Sequence, residues 1–83
     1  MKGADLRGAK LVGADLTRAD LSDVNMGPLE IADGRYIRAD LTRAKLSRAD
    51  LSGGRFSRAR MLEANLEGAR LEDANLKDAE LEF

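Results

Sequence analysis

Large apolar side chains recur every five residues from one end of this 83-residue chain to the other. On an α-helix a step of five residues advances the side chain by about 500°, so consecutive members would spread around the helix instead of forming a stripe. On a straight strand, alternate members would lie on opposite faces. The sixteen positions are Leu6, Leu11, Leu16, Leu21, Met26, Ile31, Tyr36, Leu41, Leu46, Leu51, Phe56, Met61, Leu66, Leu71, Leu76 and Leu81. Only a backbone that bends once in every pentad returns all of them to one interior.

A small residue stands two positions before most of the large ones, as Ala4 does before Leu6, and a polar residue such as Asp5 separates them. Two residues of an extended segment that are two positions apart share one side, while the residue between them faces the other way. The remaining two positions of the pentad carry residue types that favour turns, such as Gly8 and Ser22. Each pentad is therefore predicted to be a short extended segment followed by a corner.

The repeat A-[DN]-L-x-x, seen in GADLR, GADLT, RADLT, EANLE and DANLK, resembles the repeat of the pentapeptide repeat proteins and covers residues 4–83. The resemblance implies an all-β fold, a right-handed quadrilateral parallel β-helix or solenoid in which four pentapeptides form one square coil. The chain would then contain about four coils of about twenty residues each. We expect residues 1–83 to form a single domain of this type.

Two nearly identical segments, GRYIR at residues 34–38 and GRFSR at residues 54–58, lie one such circuit apart. The twenty-residue circuit predicts that Tyr36 stacks beneath Phe56 and Gly34 beneath Gly54. In both segments a larger aromatic replaces leucine and a smaller glycine replaces alanine, which is the exchange of volume that a close-packed interior requires.

The segment VNMGPLEIAD, residues 24–33, departs from the repeat. Val24 and Leu29 occupy positions that are small elsewhere, and Gly27 and Pro28 occupy the corner. The five-residue phase survives, so the sequence favours a repacked coil with local widening or a bulge. The alternative is a functional protrusion.

The outward residues provide the candidate binding surface. Charged residues make up 35% of the chain but nearly cancel to a net charge of −1, which argues against a globally cationic nucleic-acid binder. Sorting them by a twenty-residue circuit concentrates positive charge on the side of Tyr36 and Phe56. The candidate anion- or partner-binding residues are Arg18, Arg35, Arg38, Arg55 and Arg58.

Catalytic chemistry finds little support in the composition. The chain has neither histidine nor cysteine, so it can form no imidazole or thiolate relay and no imidazole or thiolate metal site. We expect no enzymatic activity, no catalytic residue, no metal and no cofactor.

The preferred function is that of a non-enzymatic β-helical scaffold, a protein-interaction module with a protein partner. The family resemblance adds an alternative, a DNA-mimicking binder of a type II topoisomerase such as gyrase. The second alternative is binding of an anion or nucleic acid through the arginine-rich side. Because no apolar run reaches the ~20 residues that cross a bilayer and the first residues lack the apolar core of a signal peptide, we expect a cytoplasmic protein without a membrane partner.

The ends of the array suggest self-association. A terminal coil exposes unpaired backbone groups and an apolar square, which repeat arrays usually cover with a cap. Two interpretations follow: a segment of a longer or designed array, or a homodimer formed by stacking of terminal coils. The residues of the expected end-to-end interface are Leu76, Leu81 and Phe83.

Overall fold

The computed structural model of the protein describes residues 1–82. Within this range the regular secondary structure consists of strands, and no helix is present. The strands are β1 (Leu29–Ala32), β2 (Arg35–Ile37), β3 (Arg60–Leu62) and β4 (Glu80–Glu82). Strands β1 and β2 pair in the antiparallel sense, whereas β3 and β4 pair in the parallel sense with Arg60 opposite Glu80.

Most of the wall consists of single-residue parallel bridges between the polar central residues of the pentads. These bridges form four ladders, which we call the first to the fourth face: Asp5–Asn25–Arg55–Asn75, Lys10–Asp40–Arg60–Glu80, Asp15–Lys45–Asn65 and Asp20–Asp50–Arg70. A regular step of a ladder spans four pentads, as from Asp5 to Asn25, and a step that passes residues 28–37 spans six, as from Asp15 to Lys45.

The circuit therefore contains four pentads, as expected, and residues 28–37 are an insertion of two pentads into one circuit. We call one circuit a level, so that the first level begins at Ala4, the second at Val24, the third at Gly54 and the fourth at Ala74.

The corners between faces are four-residue turns closed by a backbone hydrogen bond, as where the Ala9 N–H donates to the Leu6 carbonyl at 3.1 Å. The third residue of each regular corner has a positive φ, between 57° and 71°, which is the geometry of a type II turn. Glycine fills some of these positions, including Gly8 and Gly53, and charged residues such as Arg58 fill others. The wall thus requires the left-handed conformation at one fixed position in every pentad.

Residue 28 falls at that third position, and it is proline. The pyrrolidine ring locks φ in the negative range, so Pro28 cannot adopt the positive φ of a corner, and the oversized Leu29 follows at a small position. The chain leaves the wall here and re-enters it at Arg38. Our prediction of a repacked coil at residues 24–33 is therefore wrong, because that coil requires a corner with a positive φ at residue 28, which proline cannot adopt. The segment instead begins a protrusion.

The protrusion is a β-hairpin of β1 and β2. Leu29 pairs with Ile37 and Glu30 pairs with Tyr36, and the register shifts between Glu30 and Ala32. The turn contains Gly34 at a φ of 71°, where glycine is unstrained. A strand of four residues extends about 13 Å, so the hairpin projects well beyond the wall at one corner of the second level.

The core runs from the end of the first level to the first half of the third. Leu21, Leu41, Phe56 and Met61 are fully buried there, with alanines such as Ala44 beside them. The large residues before Leu21 and those from Leu66 to Leu76 are partly buried and pack against this cluster: Leu6, Leu11, Leu16, Leu66, Leu71 and Leu76. The prediction of a common interior is confirmed for these residues. It is wrong for Ile31 and Tyr36, which are 54% and 49% exposed on the hairpin.

Of the two glycine–aromatic segments, only GRFSR places its aromatic side chain in the interior. A Cβ atom added at Gly54 would lie 2.9 Å from Cζ of the buried Phe56 ring, so the predicted exchange of volume is confirmed at this pentad. A Cβ atom at Gly34 would meet nothing within 4 Å. The predicted stack of Tyr36 on Phe56 is wrong, because the insertion removes Tyr36 from the wall.

Candidate functional site

The aspartates and asparagines at the centres of the pentads hydrogen-bond the corners. Oδ1 of Asp20 accepts the Ser22 N–H at 3.0 Å and the Ser22 hydroxyl at 2.6 Å. The same pair of bonds joins Asp15 to Thr17, Asp40 to Thr42 and Asp50 to Ser52. In Asp20 and Asp50 the carboxyl pKa is lowered, mainly by the hydrogen bond from the serine hydroxyl and next by the bond from the backbone N–H. Their role is structural, since a carboxylate bonded to its own corner stabilises the turn.

The five candidate arginines do not form one cluster. Arg55 lies on the first face, and Arg38 and Arg58 lie at the corner that follows this face. Arg18 lies at the corner after the third face, and Arg35 lies on β2 of the hairpin. A twenty-residue circuit also predicts that Arg35 lies beneath Arg55, and this prediction is wrong for the same reason as that for Tyr36 and Phe56, since the insertion removes Arg35 from the wall.

Arg38 joins the base of the hairpin to the levels beyond it. Its Nε donates to the Arg58 carbonyl at 2.5 Å, and its Nη1 lies 2.8 Å from Oε1 of Glu80. Glu80 also pairs with Arg60 at 3.5 Å. The Arg38 guanidinium is thereby engaged within the protein, so it contributes more to positioning the hairpin than to binding an anion.

The charge of the wall is polarised between faces. The first face with its following corner carries five cations and two carboxylates, a net charge of +3: Arg7, Arg38, Arg55, Arg58 and Lys77 against Asp5 and Asp78. The fourth face with its following corner carries two cations and five carboxylates, a net charge of −3: Lys2 and Arg70 against Asp20, Asp23, Asp50, Glu72 and Asp73. A basic side is therefore present, but it is built around Leu6, Met26, Phe56 and Leu76, without Tyr36.

One pair on the first face is neutralised. The Arg7 guanidinium lies 2.8 Å from the Asp5 carboxylate. Hydrogen bonds from the Arg7 side chain and backbone lower the pKa of Asp5 to about 2. The unneutralised part of this face lies at the third and fourth levels, around Arg55, Arg58 and Lys77.

The hairpin adds an apolar surface that the sequence analysis missed. Ile31, Tyr36 and Ile37 are 54%, 49% and 38% exposed, which makes the hairpin the richest concentration of exposed large apolar side chains among the described residues. Leu29 and Ile37 lie over Gly8 of the first level, where an added Cβ would be 3.0 Å from Cβ of Leu29. The signal that could have found this element is Pro28, which occupies a position where the wall requires a positive φ.

The predicted end-to-end interface is described only in part. Leu76 is half-buried and packs against the core, whereas Leu81 on β4 is 41% exposed. Phe83 lies outside the described residues. The interface stays a prediction.

The ladders and corners define a parallel β-solenoid built from pentads, interrupted by one hairpin. A family model for pentapeptide repeats, eight copies long, matches residues 1–27 and 39–78. The unmatched residues between the two ranges are the hairpin and its flanks. The chain belongs to the pentapeptide repeat family, whose members adopt a right-handed quadrilateral β-helix.

Solved structures that are similar to this chain include those of two pentapeptide repeat proteins. HetL is a pentapeptide repeat protein involved in heterocyst differentiation regulation in the cyanobacterium Nostoc sp. strain PCC 7120. It matches 98% of the chain at 41% identity with a TM-score of 0.64. AT2G44920, a pentapeptide repeat protein of the Arabidopsis thaliana thylakoid lumen, matches 94% at 26% identity with a TM-score of 0.49. The chain spans 35% of the HetL chain and 61% of the AT2G44920 chain. Comparison with curated protein sequences gave no match.

Across residues 1–82, no helix has the length and apolar character needed to cross a membrane.

Proposed function

We propose that the protein is a non-enzymatic scaffold that binds another protein through the hairpin of β1 and β2. The observation that carries the proposal is that the coil has no need of this hairpin. Deletion of residues 28–37 would join Gly27 to Arg38 and give VNMGRADL, two pentads in phase with a residue that can adopt a positive φ at the corner. An insertion that the wall does not require is free to serve recognition.

The hairpin has the chemistry of a protein-binding element. Ile31, Tyr36 and Ile37 are exposed together, and burial of a large apolar side chain contributes about 1.5–3 kcal/mol. Tyrosine and arginine, both present on β2, are enriched at protein–protein interfaces. A concentration of exposed apolar side chains on one element of a small protein is typical of a binding surface.

The architecture that presents the hairpin follows the family. We take the coil to be a right-handed quadrilateral β-helix with about four levels, and the protein to be cytoplasmic. HetL, which is similar over 98% of this chain, is described as a regulatory protein, and regulation through binding fits a rigid wall that displays one projecting element.

The experiment compares the intact chain with the 28–37 deletion. Both are immobilised and exposed to an extract of the source cells, and every protein that either form retains is purified and titrated against both. We expect the deletion variant to keep the cooperative unfolding transition of the coil and to lose the partner. A partner that binds both forms with equal affinity would overturn the proposal.

A second candidate function uses the fourth face. This face has a net charge of −3, and Asp20 is bridged to Asp50 on it. With its carboxylates the chain would imitate the phosphates of DNA and bind a type II topoisomerase. The test is inhibition of DNA gyrase supercoiling. This candidate requires inhibition by the intact chain and by the 28–37 deletion, and loss of inhibition in Asp23→Lys.

Self-association through the terminal levels is a separate proposal, supported by the exposure of Leu81. Sedimentation at high micromolar concentration should then show a dimer. A species of 9.0 kDa under those conditions would contradict it.

A further inference from the structure

The two faces of the hairpin have different surroundings. Leu29 and Ile37 form one cross-strand pair, and both lie against Gly8 of the first level. Glu30 and Tyr36 form the next pair, and successive side chains of a strand alternate between faces. Tyr36 therefore projects from the opposite face, which is turned away from the first level.

Arg38 shows where this opposite face leads. It follows β2 directly, at the base of the hairpin, and its guanidinium reaches the Arg58 carbonyl on the third level. Because Leu29 and Ile37 contact the first level and Arg38 contacts the third, the face that carries Tyr36 lies on the side of the third and fourth levels. On this placement the hairpin and the wall form an open angle, with Tyr36 on one side and Arg58 on the other.

The wall of this angle carries cations without an internal partner. Among the described residues, no carboxylate lies within ion-pair distance of Arg55, Arg58 or Lys77. Arg58 and Lys77 lie at the same corner of successive levels, with the backbone N–H of Arg58 bonded to the Lys77 carbonyl at 2.9 Å. Like charges on neighbouring strands are unfavourable when uncompensated, so an anionic partner would stabilise this arrangement.

The apolar residues specify the kind of anion. A single-stranded nucleic acid would use several aromatic rings for stacking, besides phosphate contacts, and the strands of the hairpin offer it one such ring, that of Tyr36. It would also meet the carboxylates of Glu30 on the hairpin and Asp78 on the wall. A polypeptide can place an apolar side chain on Tyr36 and its carboxylates on the cations of the wall.

We infer that the angle between the Tyr36 face of the hairpin and the basic first face binds an acidic segment of a partner protein that carries an apolar side chain. This inference rests on the proposed function and specifies its partner. The apolar side chain packs on Tyr36, while carboxylates of the segment pair with Arg55, Arg58 and Lys77. The carboxylate of Glu30 orients the bound segment, because it repels acidic residues from the hairpin side of the angle.

The protein contains its own reporter for this site. Tyr36 is the only tyrosine and the chain has no tryptophan, so tyrosine emission reports on the angle alone. The probe is a short synthetic peptide of glutamate and aspartate with two leucines. Its matched control has lysine in place of every acidic residue, and neither peptide contains tyrosine or tryptophan. We expect a saturable change in the emission with the acidic peptide, weakened by salt, and none with the basic one.

Two charge reversals on equivalent backbones locate the site. Arg58 and Arg18 both stand at corner positions with φ values of 59° and 62°, but only Arg58 lines the angle. Arg58→Glu should reduce the affinity for the acidic peptide about tenfold, since a like charge would replace an attractive one. Arg18→Glu should leave this affinity within about twofold of that of the original chain. Equal weakening by both variants would show general electrostatic attraction and overturn the inference.

The outcomes separate this inference from the function on which it rests. Tighter binding of an oligothymidylate than of the acidic peptide would replace it with nucleic-acid recognition. A hairpin-dependent partner in the extract, combined with no response to the acidic peptide, would overturn the inference and leave the proposed function intact. Retention of every partner by the 28–37 deletion would end both.

Discussion

Two pentapeptides of nearly identical sequence lie in opposite environments in this molecule, one inside the coil and the other on the exposed hairpin. Phe56 in GRFSR is fully buried at the centre of the coil, whereas Tyr36 in GRYIR is 49% exposed on a hairpin. Both occupy the position of the large inward residue, and both follow a glycine by two positions. The difference shows that the pentad pattern describes which residues can face inward, but not which pentads remain in the wall.

The deciding residue lies outside both segments. Every regular corner of the described wall has a positive φ at its third residue, and glycine, arginine, aspartate or glutamate occupies it. For a non-glycine L-residue this conformation costs roughly 1–2 kcal/mol, which hydrogen bonds along the ladder offset. Proline cannot adopt this conformation, because its ring fixes φ in the negative range. Pro28 therefore separates the two pentads that follow it from the wall, although they retain its five-residue phase.

The largest expected effect tests the contrast of the two aromatics directly. Phe56→Ala removes a fully buried ring and should destabilise the protein by about 3–5 kcal/mol. Tyr36→Ala, at a half-exposed site of the hairpin, should change stability by less than about 0.5 kcal/mol. Urea denaturation followed by circular dichroism measures both. Comparable losses in the two variants would mean that Tyr36 packs in the interior after all.

The next effect tests the role of proline in a corner. Gly53 has a φ of 68° and its N–H donates to the Glu72 carbonyl at 2.8 Å. Gly53→Pro removes that bond and forbids the φ value, so it should cost about 3 kcal/mol or more. Pro28→Ala is the matched control and should shift the midpoint of thermal unfolding only slightly. If Gly53→Pro unfolds at the same temperature as the original chain, the explanation for the hairpin fails.

Much of the fold is readable from the sequence, because the five-residue period excludes a helix and assigns the inward positions. The core from Leu21 to Met61 follows from that pattern, as does the glycine–aromatic exchange at Gly54 and Phe56. The sequence favours a repacked coil and keeps a protrusion only as the alternative, since the residues of the hairpin preserve the phase at the place where the backbone departs from the wall. Recognising it requires a property of the backbone, the positive φ at the third corner residue, that residue preferences for turns in general do not contain.

The candidate site inherits that error. The sequence correctly placed Arg55 and Arg58 on a common basic side, because no insertion lies between them. It placed Arg18 and Arg35 on the same side by a count of four pentads per circuit that the insertion of two pentads invalidates. The exposed Tyr36 surface could not emerge from that count, since a residue assigned to the interior was excluded from recognition.

A smaller effect distinguishes the two glycines. Gly54→Ala places a methyl group against the Phe56 ring and should cost about 1–3 kcal/mol through overpacking. Adding Phe56→Leu should recover part of that loss, because it restores the alanine–leucine pair of the other pentads. Gly34→Ala meets no atom within 4 Å but retains a φ of 71°, so its cost of about 1 kcal/mol comes from the backbone. Tyr36→Leu should therefore give it no recovery in a double-mutant cycle.

The smallest effect tests whether the wall, independently of the hairpin, is held by its corner carboxylates. Bonds from the Ser52 hydroxyl and N–H lower the pKa of Asp50 from the ordinary value of 3.8, and Ser22 acts in the same way on Asp20. A carboxyl with a lowered pKa in the folded state stabilises it above the pKa of the unfolded chain, and this stabilisation disappears as the pH falls through the folded-state pKa. The midpoint of urea denaturation should therefore decrease below about pH 4. The 28–37 deletion should retain this decrease, because the corner carboxylates belong to the coil.

Asp20→Asn combined with Asp50→Asn keeps the acceptor oxygens but removes two titrating groups from the fourth face. We expect this variant to match the original chain at neutral pH, where it also relieves the repulsion of the bridged pair, and to lose less stability in acid. Ser52→Ala, which removes the hydroxyl donor to Asp50, should lower the denaturation midpoint at neutral pH and reduce the difference between neutral and acidic conditions. An acid response that is unchanged in both variants would assign the pH dependence to other groups and leave the corner bonds without a measurable share in the stability of the wall.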